Sequence, residues 1–390
     1  MTQIKWTTFL KDVFLCALGA YGGPEAHYGA FSAVLIDRKK YITEEELTEM
    51  ISLFALVPGP ASTQTITAIG YHVGGPLLAL LTFFVWVLPA IVVMSLVGVF
   101  FTRIDANEGW KPMIRFLPAA AVSFIIYAAY SLSKKVLKQG ADLILFAIML
   151  AFGLLFVGYS VWIVPILLVT GGLVTMFPHR SERSKDKLSI KPRWLILALV
   201  IGLALLNEGL RTRISAPWLT LFGSFYRYGY SVIGGGQIVI PLMITDLVQT
   251  QSLISLSDFL SGYAIDQAVP GPLFSFASFV SARSFAGTGF SFVAGLIGGF
   301  SIFLPGILLV YFIFPLWKSF RKINLFKYFL KGVTITAAAL ITMTAINTSM
   351  ELPVDPVVYI VALISFLALL WKKVPAPFVV FLVAGAGYII

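Results

Sequence analysis

Residues Phe54–Tyr71 read FALVPGPASTQTITAIGY. The middle of this stretch, Pro58-Gly59-Pro60, cannot continue a helix, because proline lacks the N–H and its ring collides with the preceding turn. The rest of the chain makes that break costly. Of 390 residues, 58% are hydrophobic and 12% are charged, with a mean hydropathy of +0.92; a soluble chain carries about 25% charged residues. Apolar runs of bilayer-crossing length recur at Pro76–Phe101, Met113–Leu132, Ala141–Gly158 and Phe292–Trp317. They are continuous rather than alternating, which excludes a β-barrel. The fold class is an all-α polytopic membrane protein.

The net charge is +10. Its basic residues sit in short loops between apolar runs, where they orient the chain toward the cytoplasm rather than form a nucleic-acid surface. Cys16 is the only cysteine, so no intrachain disulfide forms. Lys5 and Lys11 precede an apolar stretch as in a signal peptide, but no small-residue cleavage site follows and the segment reads as mature protein. No Walker loop, H-E-x-x-H or G-x-S-x-G is present, and the three histidines are scattered. The expectation is a non-enzyme without metal or cofactor.

The chain repeats itself. Gly22-Gly23 returns as Gly234-Gly235, and Val57-Pro-Gly-Pro returns at Val269, both 212 positions on (22 to 234, 57 to 269). Trp6 and Trp218, Thr8 and Thr220, and Ile42 and Ile254 keep the same offset. Pro89 and Pro305 match at 216, which places a short insertion near Ala286–Phe290. Between the copies lies HRSERSKDKLSIKPR, His179 to Arg193, a basic cytoplasmic linker. With the linker inside, Lys134, Lys135 and Lys138, then Lys318, Arg321, Lys322 and Lys327, and then Lys372 and Lys373 also fall inside. Arg103, Lys111, Arg211 and Arg213 fall outside, against this trend. Pro76–Phe101 and Phe292–Trp317 then cross in opposite directions. The reading is two inverted-topology repeats with broken or re-entrant half-helices. It assigns 1–178 to the first repeat, 179–193 to the linker, 194–213 to an extra crossing, and 214–390 to the second repeat.

Non-helical backbone survives at membrane depth only where protein or a wet cavity covers it. Each copy has two such breaks, at Gly22, Gly23 and Pro24 and at Pro58, Gly59 and Pro60, matched by Gly234, Gly235 and Gly236 and by Pro270, Gly271 and Pro272. The flanking pieces, such as Glu44–Val57 and Pro60–Val73, run to about 20 Å, short of a ~30 Å hydrocarbon core. Proline suits the first turn of a new helix, and a helix N-terminus attracts anions. Paired broken helices from inverted repeats are the plan of secondary transporters. The breaks therefore read as fresh helix starts turned toward a substrate anion.

Ser62, Thr63, Gln64, Thr65 and Thr67 follow Pro60 and offer hydrogen bonds without net charge; equally, they can bond their own preceding-turn carbonyls. The matching PLFSFASF offers Ser275 and Ser278 among phenylalanines. Glu25 and His27 follow the first Gly-Gly-Pro, with Gln237 at Glu25's place in the second copy. Both are candidate proton carriers or line an aqueous vestibule. Asp266 is unmatched and is a third candidate, with Arg227 and Lys11 as possible partners or as interface-seeking cations. Glu44–Glu46 and Asp258 read as helix-starting acids. Gly295 and Gly299 form a small-residue pair for an intrachain contact or a homodimer.

These residues resemble the chromate ion transporter family in its long, two-domain form. The resemblance rests on Gly22–Pro24, Pro58–Pro60 with Gln64, Phe84–Pro89, Gly234–Gly236 and Pro270–Leu273, and spans nearly the whole chain. Val57 and Val269 stand where the family pattern leads one to expect leucine or another residue. The resemblance implies a multi-pass cytoplasmic-membrane exporter of chromate, with sulfate as the related tetrahedral dianion and the proton gradient, or exchange, as driver. A passive anion channel, or a non-transporting scaffold or lipid-handling protein, are the alternatives.

Overall fold

The computed structural model describes residues 5–21, 24–55, 57–105, 107–160, 162–182, 193–211, 216–232, 239–316, 324–371 and 374–389. The described elements are helical. In chain order they are α1 (Trp6–Gly19), α2 (Pro24–Phe31), α3 (Glu44–Phe54), α4 (Ala61–Asp105), α5 (Lys111–Ile114), α6 (Leu117–Val136), α7 (Gly140–Phe156), α8 (Ile163–Met176) and α9 (Trp194–Arg211). The second half adds α10 (Pro217–Ser231), α11 (Val239–Met243), α12 (Leu256–Asp266), α13 (Phe276–Ser284), α14 (Ser291–Ile313), α15 (Asn324–Met350), α16 (Pro356–Leu370) and α17 (Ala376–Ile389). Four of the described helices are long and apolar enough to cross a bilayer: 61–104, 111–136, 291–316 and 327–350. The chain is an all-α polytopic membrane protein.

The 212-residue offset governs the backbone as well as the letters. α3 and α12 are each 11 residues, Glu44–Phe54 and Leu256–Asp266. At 1.5 Å per residue each is about 16 Å long, half a bilayer core. Thr43 and Ser255 cap them, each accepting a hydrogen bond from the backbone N–H of the acid three residues on, Glu46 and Asp258. Just before the caps, Lys40 (φ 55°) and Ser252 (φ 51°) occupy the left-handed region. Before those, Ser32–Arg38 and Ile244–Thr250 are both π-helical. α4 is interrupted at Gly74 and Gly75, the latter at φ 79°, which separates a half-helix from the crossing that begins at Pro76. In the second copy the same role falls to the turns after α13, where Gly287 also has φ 79°. The expected insertion lies in those turns.

The chain condenses into two compact units, each drawn from both halves. The first comprises Met1–Val99, Lys185–Gly236 and Val269–Lys322; the second comprises Phe100–Ser184, Gln237–Ala268 and Ile323–Ile390. In the first unit the crossing that follows Pro76 lies antiparallel to its equivalent, α14. Tyr311 donates to the Pro76 carbonyl at 2.7 Å, Phe83 meets Phe303, and a Cβ at Gly295 would touch the Ser95 hydroxyl. Gly299 abuts Ile91 and Ser278, so this small-residue pair serves an intrachain contact. α9 runs beside α10 and α14, with Tyr226 donating to the Val200 carbonyl at 3.0 Å.

In the second unit α15 packs on α6, α7 and α8. Gly171 and Gly332 meet so closely that neither position has room for a side chain. Thr175 donates to the Tyr328 carbonyl at 2.6 Å. Asp142, in the first turn of α7, takes hydrogen bonds from the backbone of Lys138 and Gln139 and pairs with Lys331 at 2.6 Å. His179, which the sequence places in the linker, belongs to the helical turn Phe177–Glu182 and stacks on Tyr328 at 3.5 Å between centroids.

Candidate functional site

The two proline breaks fall in the first unit and are built alike. Gly59 has φ 125° and Gly271 φ 138°, a region that an L side chain rarely enters. Both N–H groups, stranded by the break, find carbonyls on the other copy. Gly59 donates to Val232 at 2.8 Å, just past the end of α10, and Gly271 donates to Ala20 at 2.8 Å, just past the end of α1. Val232 is the equivalent of Ala20 (20 to 232). Contacts above the glycines are exchanged in the same way. A Cβ at Gly59 would lie 2.9 Å from Gly306 Cα, and one at Gly271 would lie 2.5 Å from Ala90 Cβ. Residues 90 and 306 are the small residues after Pro89 and Pro305. Only a small residue leaves room for the glycine turn.

Each proline opens its element as follows. Pro24 is the first residue of α2. Pro60 and Pro272 stand one residue ahead of the helix: the Pro60 carbonyl accepts from Gln64 N–H at 2.9 Å, and that of Pro272 from Ser275 N–H at 2.8 Å. They are caps rather than first-turn residues, because the fixed φ of proline suits both places while its carbonyl starts the bonding ladder. Gly22, Gly23, Gly234, Gly235, Gly236 and Gln237 lie outside the described residues, as do the side chains of Pro24 and Glu25.

The polar run after Pro60 is fully buried and largely committed to protein partners. Ser62 Oγ and His27 Nδ1 form a 2.9 Å hydrogen bond. Thr63 Oγ1 accepts from Trp86 Nε1 at 3.2 Å. Gln64 Nε2 donates to the carbonyls of Pro58 (2.8 Å) and Gly306 (3.2 Å), which stitches the break to α14. Thr65 and Thr67 bond the carbonyls of Ala61 and Thr63, the preceding-turn pattern. His27 is 0% exposed, packs edge-on against Trp86 at 5.3 Å, and lies close to the Gly271 backbone. Trp86, Gly306 and Ala90 were not singled out by sequence reasoning. The Leu-Pro-Ala and Leu-Pro-Gly repeat was the available signal for the last two.

Several buried polar atoms around the breaks have no hydrogen-bond partner among the described residues: His27 Nε2, Gln64 Oε1, Ser278 Oγ and Ser281 Oγ. Ser275 is buried at the position just before α13. Arg227, buried in α10, pairs with Glu208 at 3.1 Å, and Lys11 is exposed. Asp266 is buried at the last position of α12, in the second unit. Asp12, which sequence reasoning passed over, is a buried acid on α1 that accepts from the Tyr41 hydroxyl at 2.6 Å and pairs with Lys39 at 3.4 Å. Among the described residues no group of three His, Cys, Asp or Glu side chains forms a metal cage.

A family model described as chromate transporter matches residues 7–176 and 219–389, one copy each. A chromate transport protein of Cupriavidus metallidurans is 26% identical over 379 residues, covering 95% of this chain and 88% of its own. A probable chromate transport protein of Synechococcus elongatus is 25% identical, covering 98% and 93%. An uncharacterized transporter of Methanocaldococcus jannaschii is also 25% identical, covering 95% and 91%. No solved structure matches.

Proposed function

Because the chain belongs to the chromate transporter family, we propose that it is a secondary transporter of a tetrahedral divalent oxyanion in the cytoplasmic membrane, exporting chromate, with sulfate as the related anion. In this reading repeats 1–178 and 214–390, joined by the 179–193 linker and the 194–213 crossing, lie in opposite senses across the bilayer. The observation that carries it is the exchange at the breaks. Each Pro-Gly-Pro turn is held by the end of a helix in the other copy, so broken segments of both copies meet in one compact unit. Such paired breaks are where secondary transporters place their substrate. Ser62, Thr63, Gln64 and Ser275 line the helix starts, and Glu25, His27 and Asp266 are the candidate proton carriers. The antiparallel packing of Pro76–Val99 against α14 favours inverted repeats.

Reconstituted vesicles test the function. Purified protein is expected to accumulate chromate against its gradient when a pH gradient or trapped sulfate supplies the drive. Flux that only follows the chromate gradient would indicate a passive channel. No flux, with unchanged chromate accumulation in cells, would leave a protein that does not transport it.

A further inference from the structure

We propose that the imidazolium form of His27 is the counter-charge of the bound dianion, so that one proton enters the site with each anion. This rests on the transport reading above and adds the identity of the proton carrier. The ring lies between the two proline breaks. Its Nδ1 bonds Ser62 in the first turn of α4, and the Gly271 backbone lies within hydrogen-bonding reach of the ring. Nε2 is enclosed without a hydrogen-bond partner among the described residues. A neutral imidazole has one donor and one acceptor nitrogen, and Ser62 satisfies Nδ1 in either tautomer. With Nδ1–H donated to Ser62, the bare Nε2 lone pair repels an oxyanion; with the proton on Nε2 instead, the ring is a donor that brings no charge. Once protonated, the same atom becomes a charged donor, the stronger kind of hydrogen bond to an oxyanion.

Among the described residues, charged groups on the surrounding elements do not replace it. On α1, Asp12 is held by Tyr41 and Lys39, and Lys11 is exposed. On the π-helical turn, Asp37 and Arg38 are exposed. On α4, His72 pairs with Glu46 at 3.4 Å; on α10, Arg227 pairs with Glu208; Arg283 lies in the last turn of α13. Tyr28 is the adjacent phenol, and the Glu25 side chain lies outside the described residues. No ion pair involves His27 among the described residues, so the ring is free to supply charge when an anion arrives. The second copy has no duplicate. Val239 stands at the place of His27 and Phe274 at that of Ser62, so this imidazole site supplies one proton rather than two.

The test uses sulfate, which does not itself titrate near neutrality, and the full-length protein in detergent with a pH indicator. Sulfate binding is expected to take up close to one proton, and affinity to fall about tenfold per pH unit on the alkaline side. His27→Gln, which retains an amide for Ser62, is expected to bind at least about tenfold more weakly and without that slope. Binding by the wild type with no proton uptake, or a wild-type slope in His27→Gln, overturns the proposal and leaves anion transport standing. Failure of the wild type to bind or move either sulfate or chromate overturns the transport reading and this proposal with it. Proton uptake is read on the wild type, so its absence overturns the proposal even where the variant does not fold.

Discussion

Gly59 and Gly271 show what a single residue carries here. Each combines a positive φ with a neighbour that leaves no space for a methyl group, Gly306 in one case and Ala90 in the other. Gly75 has φ 79° but open space around it. Alanine at Gly59 or Gly271 is expected to cost about 1–3 kcal/mol in backbone strain alone, with crowding in addition. Gly75→Ala carries only the strain. Thermal unfolding in detergent should rank Gly75→Ala as the mildest of the three, and the reverse order would refute the packing account. The glycine turns were legible because Pro-Gly-Pro leaves the backbone few choices. The occupation of Ser62, Thr63 and Gln64 was not, because the groups they meet, such as the Gly306 carbonyl, come from far along the chain and leave no local trace.

The half-helices show how far local signals reach at the level of an element. Glu44–Glu46 and Asp258 announce helix starts in the letters, and the structure adds the caps Thr43 and Ser255 just before them. Thr43→Ala and Ser255→Ala are each expected to destabilise by about 1 kcal/mol. Matched drops in the unfolding midpoint would show that the two caps are equivalent; a cost confined to one would show that they are not. The π-helical turns had no such signal: SAVLIDR and ITDLVQT share little, yet both adopt it. Tertiary packing imposes that shape. α7 depends on a charge partner instead. Asp142→Asn removes the ion pair with Lys331, whose own side chain is 39% exposed, so the expected loss is about 1–3 kcal/mol rather than that of a fully buried pair. With Lys331→Met added, the double variant should lose less than the two single losses together.

At the scale of the molecule, the sequence revealed the duplication but not the grouping. Chain order suggests one unit per copy, whereas each compact unit takes pieces of both. Loops of similar polarity say nothing about which helices gather, because that is decided by contacts between segments about 200 positions apart. Opposite orientation of the copies has a direct test. Glu45 and Ser257 are equivalent, exposed positions at the starts of α3 and α12. In a Cys16→Ala background, cysteines placed there are expected to react with an impermeant thiol reagent from opposite sides of the membrane. Labelling from the same side would establish parallel copies. The exchanged bonds at the two glycines also bear on how such a chain could arise. Neither half can latch its own turn, since the latch for Gly59 belongs to residue 232 and that for Gly271 to residue 20. A half-length ancestor would have met the same need by exchanging residue 20 with a second molecule in a reciprocal two-fold pair, so fusion only tethered an alliance already required. Severed today, each piece would hold a turn whose latch lies on the other.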